Sequence, residues 1–247
     1  MNILNKTEYL KRLIVQTNCM DNIDWFGFED KDWDFPFYKK NPPISKRGWV
    51  GLFFALLIGT LLISDSIIVS LISCMILLLP VLYFLKWDYR AIFRMPKGKD
   101  IALAVALFVG YMIYAIAMSV LLEPAGITSP GSIEESSVTV MSTLSLVFSM
   151  MSEEMIKFIP FMFFLRLFYK YTDKRKLSVI SSALIVMMFF ASMHAYNLQM
   201  FIFAIFVQGF GSIFEFFGYI KTKNIWIPYI THMCTDAFIY ITILLGL

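Results

Sequence analysis

Long apolar blocks, separated by short polar and charged stretches, dominate the chain from residue 49 onwards. A bilayer core about 30 Å thick requires roughly 20 consecutive, mainly apolar residues of α-helix, and several blocks approach or reach that length. Transmembrane β-strands would instead be segments of about ten residues with alternating hydrophobicity, and the sequence has none. The pattern therefore predicts an all-α, polytopic transmembrane helical bundle with about seven spans, at residues 49–64, 66–85, 101–122, 141–165, 177–196, 198–220 and 225–245.

Composition and charge agree with this prediction. Apolar residues make up 59% of the chain and charged residues only 16%, whereas soluble domains carry about 25% charged residues. With seven spans, every lysine and arginine except Lys157 falls on one side of the membrane, and the positive-inside rule makes that side cytoplasmic. We therefore expect a multi-pass protein of a bacterial cell membrane with a cytoplasmic N-terminus. The net charge of +3 reflects this topology, and nucleic acid is not an expected partner.

Residues 1–47 are predicted to form a cytoplasmic or interfacial N-terminal segment, and residues 48–247 the transmembrane domain. The segment mixes aromatic rings with charges, as between Trp33 and Tyr38, which suits the lipid headgroup layer. We expect it to anchor the chain at the interface, with docking of a partner or substrate as the alternative. The first apolar run begins too late for a cleavable signal peptide. Cys19, Cys74 and Cys234 show no paired or metal-ligand spacing.

Ionisable residues inside the apolar blocks are the candidates for chemistry, because each costs roughly 2.5–3.5 kcal/mol at the centre of an inserted helix. Glu153 and Glu154 are adjacent near the middle of the fourth span, and Lys157 follows within reach of both. One lysine neutralises only one of two crowded carboxylates, and the other suits general acid–base catalysis. A buried ion pair that packs helices together is the structural alternative.

The only two histidines of the chain lie in separate spans. His194 ends the fifth span, and His232 lies in the seventh with Asp236 on the same face at i+4. Asp236 is expected either to fix the tautomer of His232 or to act in the site itself. Straight helices would separate the histidines by roughly 15 Å in depth. Their convergence therefore requires helix tilt, a later start of the last helix near Pro228, or a water-filled cavity.

Glu215 is also a carboxylate within a predicted span, five residues from its end. Lys221 and Lys223 follow closely in the sequence, and long side chains near helix ends extend towards the membrane surface. We therefore expect Glu215 to reach towards these two lysines and to lie outside the site.

The ionisable residues resemble the motifs of the CPBP family, the CAAX-processing and bacteriocin-processing intramembrane peptidases, which are also called Abi proteins. That family carries the motifs EExxxR, FxxxH, and HxxxN or HxxxD on separate helices. The resemblance covers residues 141–240 of this chain, with the three motifs in the same order. They correspond to Glu153-Glu154, to Phe190 with His194, and to His232 with Asp236.

The first motif departs from the family pattern. Phe158 stands where the family has arginine, and the cation is Lys157, one residue earlier. This EExxK form is similar to the related PrsW-type peptidases, which also favour HxxxD. Those proteins have FxxxE as the middle motif, however, and His194 agrees with the main family instead.

The resemblance implies an intramembrane endopeptidase with its catalytic core in the last four spans. It would hydrolyse a peptide bond of a small membrane-associated, lipidated or exported peptide, so membrane lipid and a peptide are the expected partners. By analogy, Glu153 with His194 would activate water, and His232 would stabilise the oxyanion or leaving group. The implied catalytic residues are Glu153, Glu154, His194, His232 and Asp236, with Lys157 and Phe190 in support.

The family is commonly described as metallopeptidases, and the sequence leaves the cofactor open. Glu153, His194 and His232 have donor types that hold zinc with an open position for water. They lie on three different helices, so a zinc site and a metal-free site both fit. The alternative functions are a non-proteolytic scaffold, a bacteriocin self-immunity protein that keeps the family core, and a proton-coupled carrier. The carrier is disfavoured because the sequence shows no internal repeat.

Overall fold

The computed structural model describes residues 26–127 and 138–246, and within these two ranges it contains helices and no strand. The α-helices are α1 Lys46–Leu61, α2 Ile67–Phe84, α3 Gly98–Leu122, α4 Val140–Thr172, α5 Arg175–Met193, α6 Leu198–Ala204, α7 Ile213–Thr222 and α8 Trp226–Leu245. A π-helical turn, Ile205–Gly209, and a 3-10 turn, Phe210–Ser212, join α6 to α7. Two further 3-10 turns are Tyr89–Ala91 and Glu123–Ala125. Cys19 and most of the predicted loop at 123–140 lie outside the described residues.

Five helical stretches are long and apolar enough to cross a membrane: Ile67–Phe84, Gly98–Ala125, Arg175–Met193, Leu198–Thr222 and Trp226–Leu245. The first and fourth predicted spans are helices too, but α1 has only 16 residues. α4 has 33 residues and carries Glu153, Glu154 and Lys157 in its middle. The predicted all-α polytopic bundle is thus confirmed, and the protein is a multi-pass membrane protein.

α4, which carries charged residues near its middle, lies at the centre of the bundle. α4 packs against α1, α2, α5 and α8, and Met155, Phe161 and Leu165 are fully buried in these contacts. On α3, in contrast, large apolar side chains such as Ile113 and Ile116 face outward. The charges of α4 are therefore enclosed by apolar helices whose outer faces suit lipid, which is where a membrane protein tolerates ionisable groups.

Small residues let α7 and the irregular connection that precedes it pack closely against their neighbours. A Cβ at Gly209 would lie 3.0 Å from Cβ of Ala191 and 3.1 Å from the carbonyl oxygen of Met187, both on α5. A Cβ at Gly218 would lie 3.1 Å from a methyl group of Leu107 and 3.2 Å from one of Ile227. Such close approach is typical of helix contacts in membranes, and it holds α7 against α3 and α8 beside the centre of the bundle.

Residues 26–45 pack across one end of the bundle. Phe35 and Phe37 are only 2% and 1% exposed, so these rings lie against protein, and the interfacial position of the segment stays a prediction. Ion pairs also hold the stretch to the bundle: Oε2 of Glu29 lies 2.7 Å from Nη2 of Arg175 and 2.8 Å from Nζ of Lys223. Cations from separate parts of the chain therefore meet at this end of the bundle, which we name the cationic end. The cationic residues that contact residues 26–45 there are Arg94, Arg166, Arg175, Lys221 and Lys223.

Candidate active site

The predicted site residues come together around the ring of His232, from three helices. α8 carries His232 and Asp236, one turn apart. α4 brings its adjacent carboxylates against the two edges of that ring. α5 contributes Phe190, which is buried, and His194, which ends the helix. The residues around the His232 ring are Glu153, Glu154, Lys157, Phe190 and Asp236, and His194 adjoins this group through its contact with Phe190.

The ring of Phe190 is the common neighbour of both histidines. Its centroid lies 4.6 Å from that of His194 and 6.4 Å from that of His232. The histidine rings cannot be further apart than these two distances together, so they are closer than the roughly 15 Å offset in depth expected from straight helices. α8 begins at Trp226, almost where the sequence predicted, so a later helix start does not explain the convergence.

The two nitrogen atoms of His232 face carboxylates on opposite sides. Nδ1 lies 2.8 Å from Oε1 of Glu154, a hydrogen-bond distance, and an ionised carboxylate only accepts, so Nδ1 carries the hydrogen. Nε2 lies 3.7 Å from Oε2 of Glu153 and 3.9 Å from Oδ2 of Asp236. These separations exceed a direct hydrogen bond and suit bridging by a shared oxygen atom. Glu154 therefore orients the ring, whereas Asp236 faces the opposite nitrogen.

His194 is oriented by the main chain of its own helix. Its Nδ1 lies 2.9 Å from the carbonyl oxygen of Phe190, and a carbonyl oxygen only accepts, so Nδ1 donates. The backbone N–H of His194 donates to the carbonyl of Ala191 as α5 ends. The second ring nitrogen, Nε2, is thereby left as the proton-accepting atom, which suits a general base or a metal ligand.

Lys157 is held between two carboxylates. Its Nζ lies 2.5 Å from Oε1 of Glu154 and forms a second ion pair with Oε2 of Glu215. It also lies 3.4 Å from Nδ1 of His232 and 4.8 Å from the centroid of Phe190. The pair with Glu154, three residues earlier, agrees with the helix spacing. The second carboxylate that contacts Lys157 is that of Glu215 on α7, and not that of Glu153.

The prediction that Glu215 lies outside the site is wrong. Its side chain is buried, and Oε1 lies 3.9 Å from Nδ1 of His232. Lys221 is six residues further on, about 240° around the helix, and it reaches the carbonyl oxygen of Phe28 instead. Lys223 follows the end of α7 in a left-handed conformation, with φ 46°, and pairs with Glu29. Neither lysine is therefore available to Glu215.

A pattern in the sequence could have indicated the burial of Glu215. Gly211, Gly218 and Thr222 are spaced with Glu215 at intervals of four, three and four residues, which defines one face of a helix. Small and polar residues on one face mark the contact side of a membrane helix. All four are buried in the structure, so this face points inward.

An aromatic layer separates the charged residues from the cationic end. The ring of Tyr219 lies 5.6 Å from that of Phe158, 6.1 Å from that of Phe161 and 5.9 Å from that of Phe35. A cavity of about 20 Å³, which can hold about one water molecule, lies between this layer and Lys157. The phenylalanine at position 158 thus belongs to the layer.

The other side of the site is more accessible. The side chains of Glu153 and Asp236 are 14% and 29% exposed, against 5% for Glu154. Both lie further from the cationic end than His232 or Glu154, because α4 runs towards that end and α8 runs away from it. The Nε2 edge of His232 is therefore more exposed on the side opposite the cationic end.

A metal does not fit the compact donor group that the structure contains. In the described part of the chain, Glu154, Glu215 and His232 have potential ligand atoms within 4.8 Å of one another. The ammonium of Lys157 contacts both carboxylates and so holds the position a cation would take among them. The predicted zinc ligands Glu153, His194 and His232 do not form a group of this compactness among the described residues. Zinc binding therefore stays a prediction.

Residues 135–238 match the family model described as type II CAAX prenyl endopeptidase Rce1-like. The matched region runs from just before α4 into α8 and includes the predicted site residues as well as Glu215. No curated protein and no solved structure matches the chain. The family match supports the CPBP/CAAX-protease assignment that the three motifs indicated, and with it a CAAX-type intramembrane protease in general.

Proposed function

We propose that this protein is an intramembrane endopeptidase of the CPBP/CAAX-protease type. It hydrolyses a peptide bond of a small membrane-associated peptide, either lipidated or exported. The observation that carries the proposal is the position of His232, whose Nδ1 is held by Glu154 while its Nε2 edge faces Glu153 and Asp236 on the accessible side. The Rce1-like match over the same helices supports the reaction class.

Glu153 and His194 activate the attacking water in this proposal. The Nδ1–H of His194 is bound to the carbonyl of Phe190, so its Nε2 is free to accept a proton from water. Glu153 lies on the more accessible side of His232, with its side chain 14% exposed, where water and substrate arrive. The proton taken from water then passes to the leaving amine, so the base acts as the acid in the second step.

His232 and Asp236 act on the charge that develops in the substrate. The hydrogen bond from Nδ1 to Glu154 fixes the ring, so that Nε2, with a proton on it, donates to the substrate oxygen as it becomes negative. Asp236, one helical turn further on, stabilises the leaving group in this proposal. Lys157 holds the cation position between Glu154 and Glu215, and the proposed steps assign no role to a metal; zinc at Glu153, His194 and His232 stays a separate prediction.

Hydrolysis by the purified, lipid-reconstituted protein tests this proposal. The probe is a farnesylated peptide that ends in a CAAX sequence and carries a fluorophore and quencher on either side of the prenylated cysteine. We expect wild-type protein to cleave it, and Glu153→Gln and His194→Ala variants of equal membrane abundance to be inactive. In parallel, cells in which Glu153→Gln replaces the wild-type protein should accumulate an uncleaved peptide, detectable by mass spectrometry.

Two results together would overturn the proposal: no cleavage of the probe, and identical peptide pools in wild-type and Glu153→Gln cells. If the Glu153→Gln and His194→Ala variants also keep full biological activity, the protein acts as a non-proteolytic scaffold or a bacteriocin self-immunity protein.

A further inference from the structure

We infer that Glu215 is a positioning residue that controls the orientation of His232 through Lys157 and Glu154. Glu215 lies outside the three motifs, and no direct hydrogen bond joins it to His232, since Oε1 is 3.9 Å from Nδ1. Its close partner is the ammonium of Lys157. Its effect on His232 therefore passes through that ammonium.

Two donors compete for one oxygen atom in this cluster. Oε1 of Glu154 lies 2.8 Å from Nδ1 of His232 and 2.5 Å from Nζ of Lys157. An ammonium is a compact point charge on a flexible stem, so the anions around it decide where it lies. Glu215 supplies a second carboxylate, and that draws the ammonium away from Nδ1 of His232.

Without Glu215, the balance of charges around the Lys157 ammonium changes. Glu154 would be the only carboxylate in contact with Lys157, and both side chains are about 5% exposed, so water gives the ammonium little alternative. The ammonium would close over Oε1 of Glu154 and compete with the Nδ1–H of His232. The ring would then lose its fixed orientation, and Nε2 would no longer face Glu153 and Asp236.

The test is independent of peptide hydrolysis, because the chain has only two histidines. Isotope-labelled histidine in protein purified without a polyhistidine tag gives ring NMR signals from His194 and His232 alone. A His194→Gln variant assigns them. In wild type we expect a downfield, hydrogen-bonded Nδ1–H signal from His232. In Glu215→Gln this signal should shift or broaden while the His194 signals stay unchanged.

A second variant separates positioning from mere structural support. In the double variant Lys157→Met with Glu215→Gln, no ammonium competes for Glu154, so the His232 signal should return towards that of wild type. A purely structural role for Glu215 predicts no such recovery. The matched control is Glu29→Gln, which removes a similarly buried carboxylate from a lysine pair at the cationic end and should leave both histidines unchanged.

The inference fails if the His232 signals of Glu215→Gln match those of wild type, or if the double variant does not recover. If Glu215→Gln does not fold, Glu215→Asp and the double variant decide the question by the same signals. Where the farnesylated probe is cleaved, Glu215→Gln should lower kcat by about 10- to 100-fold with little change in KM. Absence of cleavage by wild type would count against the proposed function alone.

Discussion

Two clusters of charged residues lie on opposite sides of the aromatic layer, and they differ in how their charges are balanced. The cluster at the cationic end, the brace cluster, fastens residues 26–45 to the helices. The cluster at the centre, the site cluster, surrounds His232. The brace cluster consists of Glu29, Asp34, Arg175 and Lys223, and the site cluster of Glu153, Glu154, Lys157, Glu215, His232 and Asp236.

The brace cluster has two carboxylates and two cations, and each carboxylate directly contacts a cation. Arg175 bridges Glu29 and Asp34 at 2.7 and 2.5 Å, and Lys223 completes the set. Such a balanced arrangement has a structural use, because each charge compensates another.

The site cluster has four carboxylates and one permanent cation. Lys157 forms ion pairs with Glu154 and Glu215. Glu153 and Asp236 face the Nε2 edge of His232 on the more exposed side, without a lysine or arginine partner in the cluster. Carboxylates and imidazoles that are not compensated by fixed cations are groups that exchange protons. The comparison teaches that an excess of titratable groups over cations, rather than burial of charge, distinguishes a candidate site from a brace.

The largest difference between the clusters should appear in activity. Glu153→Gln removes one of the two groups proposed to activate water and should lower kcat by about 10²- to 10⁴-fold, whereas Glu29→Gln should keep activity within about two-fold of wild type. Cleavage of the farnesylated probe, normalised to folded protein, measures both. Equal losses in the two variants would remove the functional distinction between the clusters.

Stability should respond in the opposite sense. Glu29→Gln leaves Lys223 fully buried and without its carboxylate partner, which should lower the free energy of unfolding by about 1–3 kcal/mol. Glu153→Gln removes a carboxylate that is not paired with a lysine or arginine. The free energy of unfolding should therefore change by less than about 0.5 kcal/mol or rise. Thermal or denaturant unfolding in one detergent compares the variants. A larger stability loss for Glu153→Gln would contradict the comparison.

Metal removal should have a small effect. Because the Lys157 ammonium occupies the compact donor group of Glu154, Glu215 and His232 and the proposed steps use no metal, treatment with a zinc chelator should leave probe cleavage within about two-fold of its starting rate. Cleavage is measured before and after chelation, and again after zinc is restored. Loss of activity that zinc reverses would instead support the predicted zinc ligands Glu153, His194 and His232.

The smallest effect concerns alkaline pH at the brace cluster. Burial lowers the pKa of Lys223, although Glu29 acts against this. The unfolded chain, with a lysine pKa of about 10.4, then binds more protons than the folded one, so the Lys223 contribution to unfolding free energy should rise as pH increases from the folded pKa towards about 10.4. Lys223→Met should remove part of that rise, as measured by unfolding at several pH values. An unchanged slope would show that Lys223 does not titrate differently on folding.

Local patterns in the sequence predicted much of the molecule. Runs of apolar residues indicated the helices, because a chain in lipid must satisfy its backbone hydrogen bonds within each segment. The spacing of Glu154 and Lys157 predicted their ion pair, because residues three apart share a helix face. The motifs predicted which residues gather around His232, although the catalytic roles of those residues stay predictions.

Partners from distant parts of the chain were the features that the sequence reading missed. It assigned Glu215 to Lys221 and Lys223, which are close in sequence, although they lie on another side of α7 or beyond its end. It also did not predict that Phe35 is buried against protein, because composition alone does not reveal that Arg175 and Lys223 lie at the same end of the bundle.

The sequence by itself therefore determined the helices, the polar positions within them and the separate motifs that carry the family resemblance. Each of these depends on residues within a turn or two of one another. The tertiary structure alone decided that Lys157 meets Glu215, 58 residues away, and that Nδ1 of His232 meets Glu154. In a low-dielectric interior a charge takes whichever opposite charge the packed helices bring within contact. That choice depends on which helix faces meet, and no local spacing encodes it.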